Sequence, residues 1–311
     1  MEFALMTEPQ AGGSYDEILT AARWSEERGL AAFARSDHYL NRTTAPPATD
    51  AFATLAGLAR DTSRIRLTVL VSPISFRHPA VIAKSAATIS EMSGGRLELG
   101  VGTGWMQEEH DAFGMELWAT QRERFERLYD SLCYLRAAFS SGAAGFRGRH
   151  YRLEEIDVLP IPEQMRIIVG GSGKKKTPAL AGRFADEYNF FVTTPEDAAT
   201  RIAVMRDAAS EAGRDPDSIK VSMMGPILAD ADAASYRERL GAAAAARGRT
   251  PEEHEEILRN AGVPHGPADR AAAVIDGLSR AGIDRYYLQV YAPVGDLDYD
   301  ALAASFGAVG A

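Results

Sequence analysis

The sequence predicts an α/β protein of the (β/α)8 TIM-barrel class, on three observations. Short apolar runs alternate with amphipathic stretches from end to end, and eight such runs can be counted. The segment from Leu67 to Trp105, LTVLVSPISFRHPAVIAKSAATISEMSGGRLELGVGTGW, reads as strand, helix and strand with Ser- and Gly-rich loops after both strands. Eight strand–helix units close naturally into a barrel whose ligand sites lie on loops at the C-terminal strand ends. A doubly wound open sheet is the alternative that the same alternation allows.

The first expected strand, Phe3–Met6, precedes a helix over Ser14–Arg28, and Ala32–Ser36 with Thr49–Thr62 forms the second unit. The third strand, Arg66–Val71, is an almost continuous apolar and β-branched run, as expected where both sheet faces are covered. Pro79 suits the first turn of the next helix, where its missing N–H would have no partner anyway. Val81, Ile82, Ser85, Ala86, Ile89 and Met92 then recur at helical spacing over Pro79–Met92, until Ser93, Gly94 and Gly95 stop the helix. Leu97–Val101 is the fourth strand and Arg122–Phe139 its helix. Arg166–Val169 with Lys175–Phe184, Glu187–Phe191 with Pro195–Ala212, and Ile219–Met223 with Ala231–Arg247 continue the alternation. Pro267–Ala281, Arg285–Val290 and Tyr299–Phe306 complete it.

One domain over residues 1–311 accommodates all of this, with insertions after strands 4 and 7. Residues 140–165 hold a Gly-rich turn followed by alternating residues, which suggests a small hairpin laid across the barrel. Residues 224–266 hold an Ala-rich helix and the acidic TPEEHEEILRNAG, readable as a lid, an oligomer contact or a solvated helical excursion.

Composition narrows the function. With 43 acids against 34 bases the formal charge is −9, which gives no field to attract nucleic acid or an anionic membrane. A small-molecule substrate is the better default. Cys133 is the only cysteine and lies in an apolar helical run, so disulfides are excluded and a buried thiol is expected. No run of about 18 apolar residues and no basic-then-apolar start occurs, so a cytoplasmic protein is expected. No HExxH, Cys/His cluster or carboxylate cluster at ligand spacing calls for a metal, and no GxSxG elbow starts a serine triad.

Four strand-end loops carry the candidate chemistry. Asp37 and His38 follow the second strand, with Tyr39 beside them, and a histidine there suits hydrogen bonding or proton transfer. Asp37 as a helix cap with a surface His38 is the bland alternative. In SPISFRHPA, Ser72 and Ser75 offer hydroxyls to a ligand, while Arg77 and His78 more naturally anchor the loop. GVGTGW at 100–105 places glycines where backbone must approach something bulky and planar, and Trp105 offers a flat apolar face. It lacks the third glycine and the opening helix of a dinucleotide fingerprint. Finally, VGGSGKKKTP at 169–178 combines exposed N–H groups, Ser172 and a helix start, a combination suited to phosphate.

These segments together resemble one family. SPISFRHPAVIAKSAATISEMSGGRLELGVGTGW at 72–105, RERFERL at 122–128 with FRGRHYRL at 146–153, and IIVGGSGKKKTPALAGRFADEYN at 167–189 resemble the luciferase-like monooxygenase superfamily, within it the branch that uses the deazaflavin coenzyme F-420. The resemblance covers nearly the whole chain. It implies a barrel with a cis peptide bulging the third strand behind the deazaflavin ring, here within Thr68–Ser72. It implies that Asp37 and His38 form the acid–histidine pair at the ring's reactive edge, with the histidine assisting as a substrate hydroxyl loses its proton and hydride passes to the ring. Thr68, Val69, Leu70, Val71 and Ser72 would back the ring. Gly102, Thr103 and Gly104 would border it, and Gly170, Gly171, Ser172 and Gly173 would hold the cofactor phosphate. Trp105, Tyr39 and Glu108 would line the substrate pocket. Relatives that oxidise sugar phosphates carry a glutamate directly after GTG where this chain has Trp105, so their acid and substrate do not transfer. Glu108 and Glu109 are the nearest remaining acids.

The implied activity is hydride transfer between coenzyme F-420 and a small organic substrate. FMN-dependent monooxygenation on the same barrel is the alternative, and a non-catalytic flavin-binding protein a second. A homodimer is implied by relatives.

Overall fold

The computed structural model describes residues 1–41 and 46–310. Eight strands run parallel and close on one another in sequence order: β1 Glu2–Thr7, β2 Ala32–Arg35, β3 Arg66–Pro73, β4 Leu97–Gly102, β5 Arg166–Gly170, β6 Glu187–Phe191, β7 Lys220–Gly225 and β8 Arg285–Val290. The ring shuts where Glu2–Thr7 pairs with Arg285–Val290. The (β/α)8 reading therefore holds, and the open sheet falls away.

Alternate residues of each strand face two cores. Phe3, Leu5, Leu67, Val69, Leu97 and Leu99 pack outward against the helices. Ala4, Met6, Ala32, Ala34, Leu70, Ile168, Met224 and Tyr287 form a separate inner cluster. Its small alanines leave room inside the barrel. Below them lies an ionic floor, where Arg285 Nη1 reaches Glu98 at 2.6 Å and Glu187 at 3.1 Å, and its Nε donates to Glu2 at 2.9 Å. Closing eight inward registers on the chain's axis brings these charges together, and each is satisfied by the others.

The helices are α1 Tyr15–Glu27, α2 Ala51–Asp61, α3 Pro79–Ser93, α4 Gln107–Phe113, α5 Gln121–Ala138, α6 Lys176–Phe184, α7 Pro195–Glu211, α8 Ala233–Ala245, α9 Pro251–Asn260, α10 Ala268–Arg280 and α11 Tyr299–Ala308. Their starts follow local chemistry. Ser14 and Glu17 form a reciprocal capping box, Asp50 accepts from Ala53 N at 2.9 Å, and Pro79 occupies the first turn of α3. The expected elements recur with ends displaced by no more than two residues. Among the described residues, no helix is long and apolar enough to cross a membrane.

Three features depart from the sequence reading. Gln107–Phe113 is helical although no apolar period marks it, and Gly114, in the left-handed region at φ 64°, ends it. The 140–165 insert does contain a hairpin, Phe146–Arg147 against Arg152–Leu153, but it lies on the barrel's flank. Its His150 N donates to Asp130 of α5 at 2.6 Å, and Tyr151 meets the His78 ring edge-on at 5.1 Å. The 224–266 insert adds α9 and a two-stranded parallel sheet, Leu228–Asp230 with His265–Pro267, closed over Tyr236, Leu240, Leu258 and Val263. Three-residue strands are too short to show a period.

Candidate active site

A cavity of about 630 Å³ opens at the C-terminal ends of the strands, within the ~300–1,000 Å³ range of ligand and cofactor sites. Nearly every strand contributes. Met6, Glu8 and Gln10 come from β1 and its loop, Ser36, His38 and Asn41 from the loop after β2, and Leu70, Val71 and Pro73 from β3. Gly102, Thr103, Gly104, Trp105, Met106, Glu109 and His110 follow β4. Gly170–Ser172, Asn189, Phe191, Met224, Gln289 and Tyr291 complete the wall. A second hollow of about 580 Å³ lies on the outer flank between α5 and α6. It is lined by Phe125, Tyr129 and Leu180 with scattered charges, and shares no lining residue with the strand-end cavity.

The bulge in β3 shapes one side of the mouth. Its pairing with β4 shifts between Val69 and Ser72, and the peptide Leu70–Val71 is cis, inside the expected window. The glycines facing it are needed by the protein itself. A Cβ on Gly100 would sit 2.2 Å from Val69 O, and on Gly102 or Gly170 it would lie 2.9 or 2.7 Å from a Val71 methyl. Val71 takes up the space beside these glycines, and Gly102 and Gly170 also line the cavity.

His38 and Glu109 form the central polar pair. Its Nδ1 lies 2.9 Å from Glu109 Oε2, and the carboxylate's other oxygen accepts the N–H groups of Tyr39 and Leu40, the latter at 3.0 Å. Glu109 is fully buried, so it stands as a carboxylate only because these donors meet it. Burial pushes its carboxyl up, but the His38 hydrogen bond and charge with the Tyr39 and Leu40 N–H groups outweigh that and hold it below the usual range. Burial likewise pushes His38 down, and the Glu109 hydrogen bond and charge, with Glu8 and Asp37 beyond, raise it above the usual histidine value. With Nδ1 committed, Nε2 is the nitrogen left for a ligand. Trp105 meets the His38 ring edge-on at 5.7 Å.

Asp37 does not join this pair. It is fully buried and absent from the cavity wall, its Oδ2 receiving Arg77 Nη1 at 2.5 Å and Ser72 Oγ at 2.7 Å. Arg77 also pairs with Asp50 and donates to Tyr39 OH at 2.7 Å, so Tyr39 and Ser72 belong to this buttress and line no part of the cavity. Arg77 anchors the loop as expected. Thr68 points to the ionic floor, 3.1 Å from Glu98, and Val69 packs outward. Glu108 is exposed on α4, and its neighbour Glu109 takes the acid's place. At the phosphate loop, Gly171 N already donates to Asn189 O at 3.2 Å, while Gly173 lies outside the lining and backs onto Thr177. Of this loop's candidate residues, Ser172 is the exposed one at the cavity edge. Lys174 is paired with Asp197 at 2.5 Å.

The sequence singles out none of Glu8, Gln10, Asn189, Phe191, Gln289 and Tyr291, and offers Glu109 only as one of the two nearest acids. Asn189 and Gln289 carried a usable signal, since each is a polar residue interrupting an apolar barrel strand near its C-terminal end.

A model of the luciferase-like monooxygenase family matches residues 1–311. The chain belongs to that family. It is 34% identical over 190 residues to pyrimidine monooxygenase RutA of Cronobacter sakazakii, a match covering 58% of this chain and 53% of that protein. The chain thus spans about half the length of the curated relatives it matches. Among solved structures, an F420-dependent secondary alcohol dehydrogenase in complex with an F420–acetone adduct superposes with a TM-score of 0.80 at 19% identity, covering 100% of this chain and 99% of the other. The FMN-bound oxygenating constituent of 3,6-diketocamphane monooxygenase from Pseudomonas putida gives 0.75 at 18% identity, covering 99% and 96%. These last two likenesses show the fold.

For a luciferase-like barrel the question is whether this mouth fits a flavin-type ring. Asn189 answers it. Its Nδ2 donates to Ser222 at 2.8 Å, its buried Oδ1 has no protein partner, and the residue stands in the cavity wall. A buried acceptor of that kind matches the N–H that such a ring presents. Leu70, Val71, Gly102 and Gly170 line one side of the cavity, where they would meet the face of such a ring, and Ser172 at its edge is the hydroxyl that a phosphate would meet.

Proposed function

We propose that this protein is an oxidoreductase that moves hydride between coenzyme F-420 and a small organic substrate. The observation that carries the reading is the His38–Glu109 pair. Bound against Leu70 and Val71, a deazaflavin supplies two-electron hydride exchange at its ring. The chain's own residues do the rest. Glu109 fixes the His38 tautomer with the proton on Nδ1, so Nε2 accepts the hydroxyl proton of a substrate being oxidised, or returns it to a carbonyl being reduced. Glu109 also stabilises the imidazolium formed when that proton arrives. Asp37, Arg77 and Asp50 hold the loop that carries His38, so the ring nitrogen meets the substrate in one geometry. Trp105 covers the His38 edge and limits water there.

FMN-dependent monooxygenation is the second reading, and the 34% identity to a pyrimidine monooxygenase favours it. Oxygen separates the two. Hydride transfer to or from F-420 proceeds at an undiminished rate under anaerobic conditions, whereas a monooxygenase forms no product without O2. His38→Ala lowers turnover by at least about tenfold while cofactor binding persists, in line with general acid–base contributions. Unchanged turnover would remove His38 from the reaction.

A further inference from the structure

The mouth of the cavity has two unlike sides. The bulge, Gly102, Gly170 and Asn189 stand on the β3 to β6 side, where the proposed function seats the ring. Facing them across the barrel, on β8, β1 and the loop after β2, runs a chain of hydrogen bonds. Ser36 Oγ donates to Gln10 Oε1 at 2.6 Å, Gln10 Nε2 donates to Glu8 Oε2 at 2.6 Å, Gln289 Nε2 donates to Glu8 Oε1, and Tyr291 OH donates to Gln289 Oε1 at 2.7 Å.

Each amide in this chain is turned so that its N–H faces Glu8. Both Glu8 oxygens are therefore acceptors, on a side chain only 6% exposed. Its hydrogen-bond partners carry no positive charge, and each oxygen keeps a second lone pair for an incoming donor. Glu109 places a second carboxylate on the wall, and Asn189 Oδ1 a third acceptor. Among the described residues, neither lysine nor arginine lines the cavity. An anionic substrate would enter against the acidic side chains of Glu8 and Glu109, with no guanidinium or ammonium among the described residues of the wall to receive it.

The rim adds the second constraint. Trp105, Phe191 and Tyr291 line the mouth and are 56%, 45% and 57% exposed. Three large aromatic side chains at one opening present flat apolar faces and edges that favour a planar partner.

Resting on the ring's seat given above, we propose that the substrate is a planar, uncharged or cationic compound carrying an O–H or N–H that donates to Glu8, and that phosphorylated or carboxylated compounds are rejected. Glu8 is the specificity-determining residue, and the aromatic rim selects for planarity.

A matched set of probes tests this: naphthylmethanol, naphthylmethylammonium, naphthoate and cyclohexylmethanol, titrated calorimetrically into the cofactor-free protein and into protein saturated with whichever of F-420 or FMN it retains. Naphthoate should bind at least about tenfold more weakly than naphthylmethanol. Glu8→Gln should shrink that gap to within about threefold and reduce the affinity for naphthylmethylammonium. Trp105→Ala, with Phe191→Ala as a second variant, should remove the preference for naphthylmethanol over cyclohexylmethanol. Naphthoate binding as tightly as the alcohol would overturn the proposal with no variant needed, as would a charge preference untouched by Glu8→Gln. Should neither cofactor bind, the proposed function falls on that result alone, and the charge preference is still read in the cofactor-free protein.

Discussion

His38 and Glu109 sit 71 positions apart in the chain and 2.9 Å apart in the fold, and their mutual effect has a defined sign. Glu109 raises the His38 pKa, so Glu109→Gln should lower it, and NMR titration of the His38 imidazole reads the shift directly. In the oxidative direction the rising limb of the pH–rate profile should move to lower pH with the same substitution. The pair also links stability to pH. Glu109, depressed in the folded state, stabilises above its usual value of 4.5 and loses that effect as pH falls. His38, raised in the folded state, stabilises below its usual value of 6.5 and loses that effect as pH rises through its raised value. The stability difference between wild type and Glu109→Gln should therefore be greatest between about pH 4.5 and 6.5 and shrink on both sides, as urea unfolding across pH would show. His38 was legible in the sequence because it follows a barrel strand. Its partner was not, because adjacency pointed to Asp37, which Arg77 takes. Met106, Glu109 and His110, at i, i+3 and i+4, are the buried side of α4, but two of the three are polar and make no apolar period.

At the level of elements, β3 and its neighbours show how far composition alone carries. The glycines of GVGTGW are visible as a demand for space, and at Gly100 and Gly102 it is Val69 and Val71 of the bulged strand that make it, while Gly104 answers to Ser75 and a left-handed turn. Gly100→Ala should cost about 1–3 kcal/mol, since its Cβ would meet a backbone oxygen that belongs to a paired strand and cannot swing aside. Chemical denaturation measures that cost. Apolar period revealed the eight strands and their helices, and proline and capping residues fixed several starts. The helix after GTGW, the short parallel pair of the late insert and the hairpin's place on the flank had no such signal. Their residues are few, and tertiary contacts decide them.

Across the whole molecule, the barrel divides its interior between an ionic floor and a ligand chamber. The floor is a single unit: Glu98→Gln leaves Arg285 with a diminished counter-charge and should cost roughly 3–5 kcal/mol, while pairing it with Arg285→Met should recover much of that loss. Thermal unfolding of the single and double variants decides it. The chamber above was legible as a ligand site because strand-end loops of a closed barrel converge. The identity of the ring was not, since a deazaflavin and FMN ask for the same flat wall, the same acceptor and the same phosphate contact. The reading of this protein as an F-420 oxidoreductase therefore turns on one measurement, titration of the purified protein with F-420 and with FMN, followed by the fluorescence of each ring. The account predicts saturable F-420 binding at least about tenfold tighter than FMN binding. Tight FMN binding with no affinity for F-420 would contradict it.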